Sequence, residues 1–237
     1  MTLEKRPHSW NVSPKQAREI QESLRGRVET CDSLGRVRRV AGTDVAFEKG
    51  KTITRAAVAL LSFPSLELVE YKIARRPTSF PYVPGLLSFR EIPAIIDALE
   101  KLDGRPDLVL CDGQGIAHPR RFGLACHLGV LTGLPTIGVA KSRLIGEHAA
   151  LGEKKGSWVP LMHRGEVIGA VLRTRTGVRP LYISAGHRVT LETAIDYVMG
   201  CLTRYRLPET TRWADSLAGG SVPKTLKSAV SDSAGSR

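Results

Sequence analysis

Three acidic residues lie in segments that are otherwise largely apolar. Asp44 interrupts the run "VRRVAGTDVAF", Asp112 ends the run "LVLCD", and Glu91 lies in "FREIPAII". A carboxylate in apolar surroundings is costly unless it is paired or bound to a cation. Taken singly, each acid is explained more simply as a cap or a turn residue. The three together favour a divalent-cation site, because carboxylate oxygens and water suit Mg²⁺ or Mn²⁺.

The segment after Asp112, "GQGIAHPRRFG", combines glycines, a histidine and two adjacent arginines. Gly113 could let a ligand approach the backbone closely or could simply form a tight turn, and the segment is too short for a dinucleotide-binding fingerprint. His118 could contact a phosphate, transfer a proton or cap a helix. Arg120 and Arg121 are expected at a helix N-terminus, where cations are disfavoured, so phosphate contacts explain them better.

Two further residues have a chemistry that fits an anionic ligand. Lys141 follows the apolar run "PTIGVA", and its ammonium is expected near the same sheet edge as Asp112; a solvated lysine is the alternative. Tyr82 lies in "PYVPG", where two prolines stiffen the loop. A rigid aromatic side chain can enter a DNA base stack as a wedge, although a buried turn tyrosine would give the same pattern.

The first half of the chain shows one helical pattern, three strand patterns and a second helix. The capping box "SPKQ" at 13–16 predicts a helix over 14–30. The β-rich runs 37–47, 52–62 and 66–73 are separated by turn residues and predict an antiparallel meander. Residues 86–104 have a helical pattern, but Pro93 is expected to break or restart this helix, which would place Glu91 beside a helix junction.

The second half begins with a strand–helix–strand pattern. Residues 107–111 and 135–140 are apolar strands, and the helical run 119–133 between them predicts a parallel βαβ unit. Further β-rich runs follow at 157–162, 166–173 and 180–184. The last predicted element is a helix capped by Thr190.

The order β-β-β-α-β-α-β predicts an α/β fold with a ribonuclease H-like mixed sheet. Three antiparallel strands are extended by parallel strands and flanked by helices, with additional C-terminal strands and a helix. The strands that carry Asp44 and Asp112 are neighbours in this order, and ligands usually bind at the carboxyl edge of parallel strands. We expect a single domain over residues 1–218 and a disordered basic tail over 219–237.

Composition limits the classes of partner and of site. A formal net charge of +12 with 5% aromatic residues favours a polyanion such as nucleic acid as partner. The four cysteines form no CxxC pair, which argues against zinc, and we expect reduced core thiols. The sequence shows no signal peptide and no run of about 18 apolar residues, so we expect a cytoplasmic protein without a membrane partner.

Six motifs together resemble one family. The motifs "GTDVAF", "PYVPGLLSFRE", "DLVLCDGQGIAHPRRFGLACHLGV", "TIGVAKS", "AGHRVTLETA" and "YRLPETTRWAD" resemble those of endonuclease V, the deoxyinosine 3′ endonuclease, in order and spacing over residues 10 to 217. The resemblance implies a metal-dependent endodeoxyribonuclease of DNA repair. Such an enzyme would hydrolyse the second phosphodiester bond 3′ to deoxyinosine and leave 3′-hydroxyl and 5′-phosphate ends.

The resemblance also implies roles for individual residues. Mg²⁺, for which Mn²⁺ can substitute, would be held by Asp44, Glu91 and Asp112. Lys141 and His118 would act near the scissile phosphate, Tyr82 would be the wedge, and Asp215 would serve the metal site through water. The pocket for the extruded base would be formed by Gly85, Leu87 and Gly113.

Two alternatives stay open on the sequence. One is another ribonuclease H-like nuclease, acting on hybrids, branched DNA or inosine-containing RNA. The other is a non-catalytic nucleic-acid-binding protein, although such a protein has no need for three acids among basic residues. A monomer is expected in either case.

Overall fold

The computed structural model describes residues 8–221, and its first helix confirms the predicted capping box. Helix α1 spans Pro14–Leu24. The backbone N–H of Ser13 donates to Gln16 Oε1 at 2.9 Å, and the N–H of Gln16 donates to Ser13 Oγ at 3.3 Å. The helix ends before the predicted residue 30 and continues as a short 3₁₀ turn, Arg25–Arg27. Gly26 lies in that turn, and glycine is a poor helix former.

Eight strands form one continuous mixed sheet in the order β3-β2-β1-β4-β5-β8-β7-β6. Strands β1, β2 and β3 are antiparallel, β4 and β5 continue the sheet parallel to β1, and β8, β7 and β6 complete it as antiparallel neighbours. The predicted arrangement of antiparallel strands extended by parallel ones is therefore confirmed. The strand bounds are Arg39–Glu48 (β1), Ile53–Ser62 (β2), Leu68–Pro77 (β3), Leu108–Cys111 (β4), Thr136–Ala140 (β5), Trp158–His163 (β6), Glu166–Leu172 (β7) and Leu181–His187 (β8).

Four more helices cover the two faces of this sheet. They are α2 (Leu87–Glu100), α3 (Leu124–Thr132), α4 (Leu191–Gly200) and α5 (Glu209–Ala218). Buried side chains of α2 and α3 share one apolar core with one face of the sheet, and those of α4 and α5 share a second core with the opposite face. The sheet edge where β1, β4 and β5 end lies between the two helical layers.

The expected break at Pro93 is wrong, because α2 runs through this proline without interruption. An interior proline costs about 3 kcal/mol. Ten of the fourteen residues of α2 are buried, and burying one large apolar side chain contributes about 1.5–3 kcal/mol. Packing of Ile92, Ile95 and Leu99 thus outweighs the lost hydrogen bond. Glu91 consequently lies within a helix and not at a junction.

The predicted start of the 119–133 helix is also wrong. Helix α3 begins at Leu124 after Gly123, so Arg120 and Arg121 lie in a preceding turn and not at a helix N-terminus. Arg121 has a φ of 53°, and its guanidinium pairs with Glu166 at 2.8 Å. A phosphate contact by Arg121 would have to compete with that pair.

Helix α5 is absent from the sequence-based prediction, and its buried face consists mainly of threonine and alanine rather than large apolar residues: Thr210, Thr211, Ala214, Leu217 and Ala218. The structure places its N-terminal turn directly against β1: a Cβ on Gly42 would lie 2.1 Å from the carbonyl oxygen of Thr210. Glycine at position 42 is therefore what lets α5 approach the sheet. This approach brings Asp215, on α5, to the predicted site.

Three smaller expectations have mixed outcomes. Cys111, Cys126 and Cys201 are buried as expected, whereas Cys31 is exposed, because it lies in the extended segment between the 3₁₀ turn and β1. Within residues 8–221, no helix has the length and apolar character needed to cross a membrane. Most of the predicted basic tail, residues 222–237, lies outside the described residues.

Candidate active site

Strand register brings Asp44 and Asp112 to the same sheet edge. In the parallel pair of β1 and β4, Thr43 lies beside Cys111, so the next residue on each strand is an aspartate. The backbone N–H of Asp112 donates to the Thr43 carbonyl at 3.2 Å. The two carboxylates therefore meet, as the sequence predicted from adjacent strands.

The third carboxylate of the cluster comes from α5. One carboxylate oxygen from each of Asp44, Asp112 and Asp215 lies within 4.8 Å of the other two. Glu91, the third acid predicted from sequence, approaches from the opposite helical layer and lines the same cavity. Three carboxylates with oxygen donors at this separation fit a hard divalent cation such as Mg²⁺ or Mn²⁺.

Lys141 bridges two of these acids. Its ammonium lies 2.6 Å from Asp112 Oδ2 and 3.2 Å from Asp215 Oδ1. The residue follows β5 directly, as predicted. Its backbone carbonyl accepts a hydrogen bond from Arg206 Nη2 at 3.1 Å, and the same guanidinium donates to the carbonyls of Arg179 and Pro180. Arg206 thus ties the segment after β5 to the start of β8.

Burial and mutual repulsion disfavour the charged forms of two of these acids. Burial, and then the neighbouring Asp112, raise the pKa of Asp44 to about 8. Burial and the charges of Asp44 and Asp112 raise the pKa of Glu91 well above its usual range. Partial burial works against ionisation of Asp215, but hydrogen bonding to Asp44 and the ammonium of Lys141 leave its pKa lowered. A bound cation would relieve this repulsion.

The first prediction concerns stability, and we expect Asp44→Asn to stabilise the cation-free protein. A carboxyl whose pKa is raised on folding makes the folded protein less stable as the pH rises from 3.8, its ordinary pKa, to about 8. Over this range the unfolded chain releases the proton, whereas the folded protein keeps it. Asparagine avoids this loss. The thermal midpoint in EDTA should rise by about 5 °C at pH 8.5, and by much less at pH 4.

The control repeats the thermal unfolding of wild type and Asp44→Asn with a divalent cation present. Adding Mg²⁺ should raise the thermal midpoint of the wild-type protein more than that of the variant, because a ligand stabilises the state that binds it. A variant no more stable than wild type at pH 8.5 in EDTA would contradict the raised pKa.

A single cavity of about 480 Å³ joins the cluster to the remaining predicted site residues. Arg120 and Arg121, which the sequence suggested as phosphate contacts, are not among its lining residues. The other ten residues named from sequence do line it: Asp44, Tyr82, Gly85, Leu87, Glu91, Asp112, Gly113, His118, Lys141 and Asp215. Its volume lies within the range of about 300–1,000 Å³ that is typical of ligand pockets. Tyr82 stands at its rim with 70% of its surface exposed, so the alternative of a buried turn tyrosine is wrong.

His118 is buried, and protein atoms occupy both of its ring nitrogens. Its Nε2 donates to the carbonyl oxygen of Gly85 at 2.9 Å, and its Nδ1 accepts from the backbone N–H of Arg120 at 3.2 Å. Burial lowers the pKa of the imidazole to about 4, which fits a neutral ring with this tautomer. The phosphate role predicted for His118 stays a prediction.

Sequence reasoning missed two residues beside the cavity. Gln21 lies on the buried stripe of α1 with Ala17 and Leu24, and a polar residue in an apolar stripe is a signal that the sequence carries. Arg206 has no such signal, because its three carbonyl partners come from segments far apart in the chain.

Comparison with known proteins identifies the family to which this site belongs. A family model described as Endonuclease V matches residues 22–216. The chain belongs to the endonuclease V family. A curated endonuclease V from Trichormus variabilis is 63% identical over 213 residues, which cover 90% of this chain and 96% of the relative. As a member of this family the protein is a nuclease, and the family is metal-dependent.

Solved structures of endonuclease V share the fold. The crystal structure from Streptomyces avermitilis has a TM-score of 0.85 at 45% identity, covering 94% of this chain and 97% of the other. An endonuclease V from Ciona intestinalis, in complex with a 24mer DNA containing an inosine followed by a ribo-adenosine, has a TM-score of 0.76 at 30% identity, covering 90% and 98%. The fold of this chain is thus that of the family.

Proposed function

We propose that this DNA repair endonuclease recognises deoxyinosine and hydrolyses the second phosphodiester bond 3′ to it, leaving 3′-hydroxyl and 5′-phosphate ends. The observation that carries the proposal is one cavity that holds both a carboxylate cluster and an exposed tyrosine. The carboxylates supply a cation site for phosphate chemistry, and Tyr82 can enter a base stack. The complex of the Ciona relative with inosine-containing DNA supports the choice of lesion.

Asp44, Asp112 and Asp215, with Glu91 behind them, would hold Mg²⁺, and Mn²⁺ would satisfy the same oxygen donors. The cation supplies Lewis-acid stabilisation of the negative charge that develops on the phosphate. Lys141 holds the Asp112 and Asp215 carboxylates in place, and its ammonium would supply positive charge near the scissile phosphate. Burial in the cavity strengthens these interactions relative to water.

Reading the lesion requires the base to leave the stack, which costs a few kcal/mol and less at a mispair. Tyr82 would fill the gap that the base leaves. The turn that follows Tyr82 carries Gly85, helix α2 begins at Leu87, and Gly113 lines the same cavity. These three residues would bind the displaced hypoxanthine, largely through backbone groups.

The test maps the cut to the nucleotide. An end-labelled duplex with one deoxyinosine is incubated with the purified protein in Mg²⁺ and in EDTA, beside the same duplex carrying adenine. A Mg²⁺-dependent nick at the second bond 3′ to the lesion, with ends that DNA ligase can reseal, is the expected result. A cut at another bond, or equal cutting of the adenine duplex, would overturn the proposal.

Inosine-containing RNA is the second candidate substrate, favoured by the ribo-adenosine after the inosine in the Ciona complex. The same assay with an RNA strand, an RNA–DNA hybrid and a branched junction separates these substrates. Faster cleavage of inosine-containing RNA than of DNA would identify RNA as the preferred substrate.

We further propose one catalytic domain over residues 1–218, acting as a monomer in the cytoplasm.

A second prediction concerns Lys141. Its ammonium lies 2.6 Å from the Asp112 oxygen that a cation would use. Lys141→Met should therefore lower the Mg²⁺ concentration for half-maximal activity by about fivefold, as expected for removing a competing charge worth about 1 kcal/mol. The maximal rate should fall, because an ammonium near the phosphate is lost. Titrating Mg²⁺ in single-turnover cleavage measures both effects, and an unchanged half-saturation would argue against competition.

A further inference from the structure

Three side chains converge on one backbone oxygen behind the tyrosine. The carbonyl of Gly85 accepts from Gln21 Nε2 at 3.1 Å, from His118 Nε2 at 2.9 Å and from Arg120 Nη2 at 2.8 Å. A carbonyl oxygen has two lone pairs, so three donors saturate it. We call residues 81–85, which end at this oxygen, the tyrosine loop.

Gln21 organises this convergence from helix α1. Only 1% of its surface is exposed, and its amide nitrogen also donates to the carbonyl of Phe122 at 3.2 Å. Its amide oxygen accepts from Arg120 Nε at 2.6 Å. A buried amide costs free energy unless it is hydrogen-bonded, and here both of its donors and its oxygen are used.

The geometry of Gly85 matches this arrangement. Its φ is +76°, a region that other residues rarely adopt, and a Cβ at this position would lie 3.1 Å from Arg120 Nη2 and 3.3 Å from His118 Nε2. The next backbone N–H, that of Leu86, donates to the Val83 carbonyl at 2.9 Å. The peptide plane between residues 85 and 86 is therefore fixed at both its oxygen and its nitrogen.

We propose that Gln21 and Arg120 are positioning residues that hold the tyrosine loop in its active conformation. In this conformation Tyr82 enters the DNA base stack and the cavity receives the displaced base. The inference rests on the proposed function and deepens it. Neither residue belongs to the candidate cation site formed by Asp44, Asp112 and Asp215. Their effect is to preorganise a loop whose tip is exposed, so that binding does not have to order it.

The first arm of the test needs no DNA. Gln21→Met keeps the size of the side chain and removes its hydrogen bonds, and Gln16→Met is the matched control on the same helix, since Gln16 serves the capping box. Amide hydrogen exchange of the segment 82–86 in the free protein should become about tenfold faster in Gln21→Met and stay unchanged in Gln16→Met. Unchanged exchange in Gln21→Met would overturn the inference.

The second arm measures discrimination by fluorescence anisotropy in Ca²⁺, a cation that takes similar oxygen ligands. The ratio of Kd for an adenine duplex to Kd for the same duplex with inosine should fall about tenfold in Gln21→Met. It should not fall when the substitution is made in a Tyr82→Ala background, because the loop then has no wedge to position. Arg120→Lys keeps the charge and should act in the same direction.

The two arms separate the possible failures. An equal fall of the ratio in Gln16→Met, or in the Tyr82→Ala background, would overturn the positioning role. Faster exchange in Gln21→Met, with no preference for inosine in the wild-type protein, would support the positioning of the loop and overturn the proposed function instead.

Discussion

Asp44→Asn should reduce Mg²⁺-dependent cleavage of an inosine duplex by about 1,000-fold or more, which corresponds to about 4 kcal/mol of activation free energy. The substitution keeps the shape of the side chain and removes one anionic ligand from the centre of the carboxylate cluster. Cation catalysis of this kind is worth several kcal/mol. Single-turnover rates at saturating protein measure the loss without a contribution from binding.

The same variant distinguishes loss of chemistry from loss of folding. Because Asp44→Asn is expected to raise the thermal midpoint in EDTA, a folding defect cannot explain its inactivity if both results hold. Binding of the inosine duplex should be retained within a few-fold. Asp103→Asn is the matched control, since Asp103 is exposed and pairs with Lys72 on the surface, and it should cleave at the wild-type rate. If Asp44→Asn cleaves at the wild-type rate, Asp44 is not a ligand of the catalytic cation.

Tyr82→Ala should cost far more activity on duplex than on single-stranded DNA. A duplex must be opened before the base can enter the cavity, and this opening costs a few kcal/mol. Loss of the side chain that fills the gap should therefore slow duplex cleavage by about 10- to 100-fold, while a single strand with the same inosine should lose less than about threefold. The ratio of the two single-turnover rates is the quantity to measure.

An exposed aromatic residue elsewhere provides the control for Tyr82. Trp158 is 42% exposed at the start of β6, the strand at the opposite edge of the sheet from β3. Trp158→Ala should leave both rates unchanged. Equal losses by Tyr82→Ala on duplex and single-stranded DNA would show that the tyrosine contacts the strand without acting as a wedge.

The position of Gly85 explains how the tyrosine loop can be both exposed at its tip and fixed at its end. Tyr82 projects into solvent, whereas the oxygen at the end of its loop is bonded to side chains from α1 and from the turn before α3. Exposed loops are usually mobile. Here the cost of ordering the loop is met by contacts within the protein, before any substrate is present.

The sequence alone predicted the arrangement of the first five strands and the proximity of Asp44 to Asp112, but it did not place the three C-terminal strands in the sheet. Local patterns mark the strands, and the ribonuclease H-like order of elements predicts that the Asp44 and Asp112 strands are neighbours. The βαβ unit makes β5 a parallel neighbour of β4. The same holds for Lys141, because the end of the next parallel strand must reach the same edge. The motifs that resemble endonuclease V led to the family that the comparisons confirmed.

Tertiary structure decided what depends on contacts between distant segments. Local patterns did not predict α5, so only the resemblance to endonuclease V assigned Asp215 to the metal site. The close approach of α5 to Gly42 is what brings this carboxylate into the cluster. Pro93 remains helical because burial of the apolar side chains around it outweighs the cost of an interior proline. The sequence alone shows that cost but not the burial. The bonds of Gln21 to Gly85 join residues that are 64 positions apart. Local patterns determine which elements form and in which order, whereas burial and long-range hydrogen bonds determine where some of them end and which side chains finally meet.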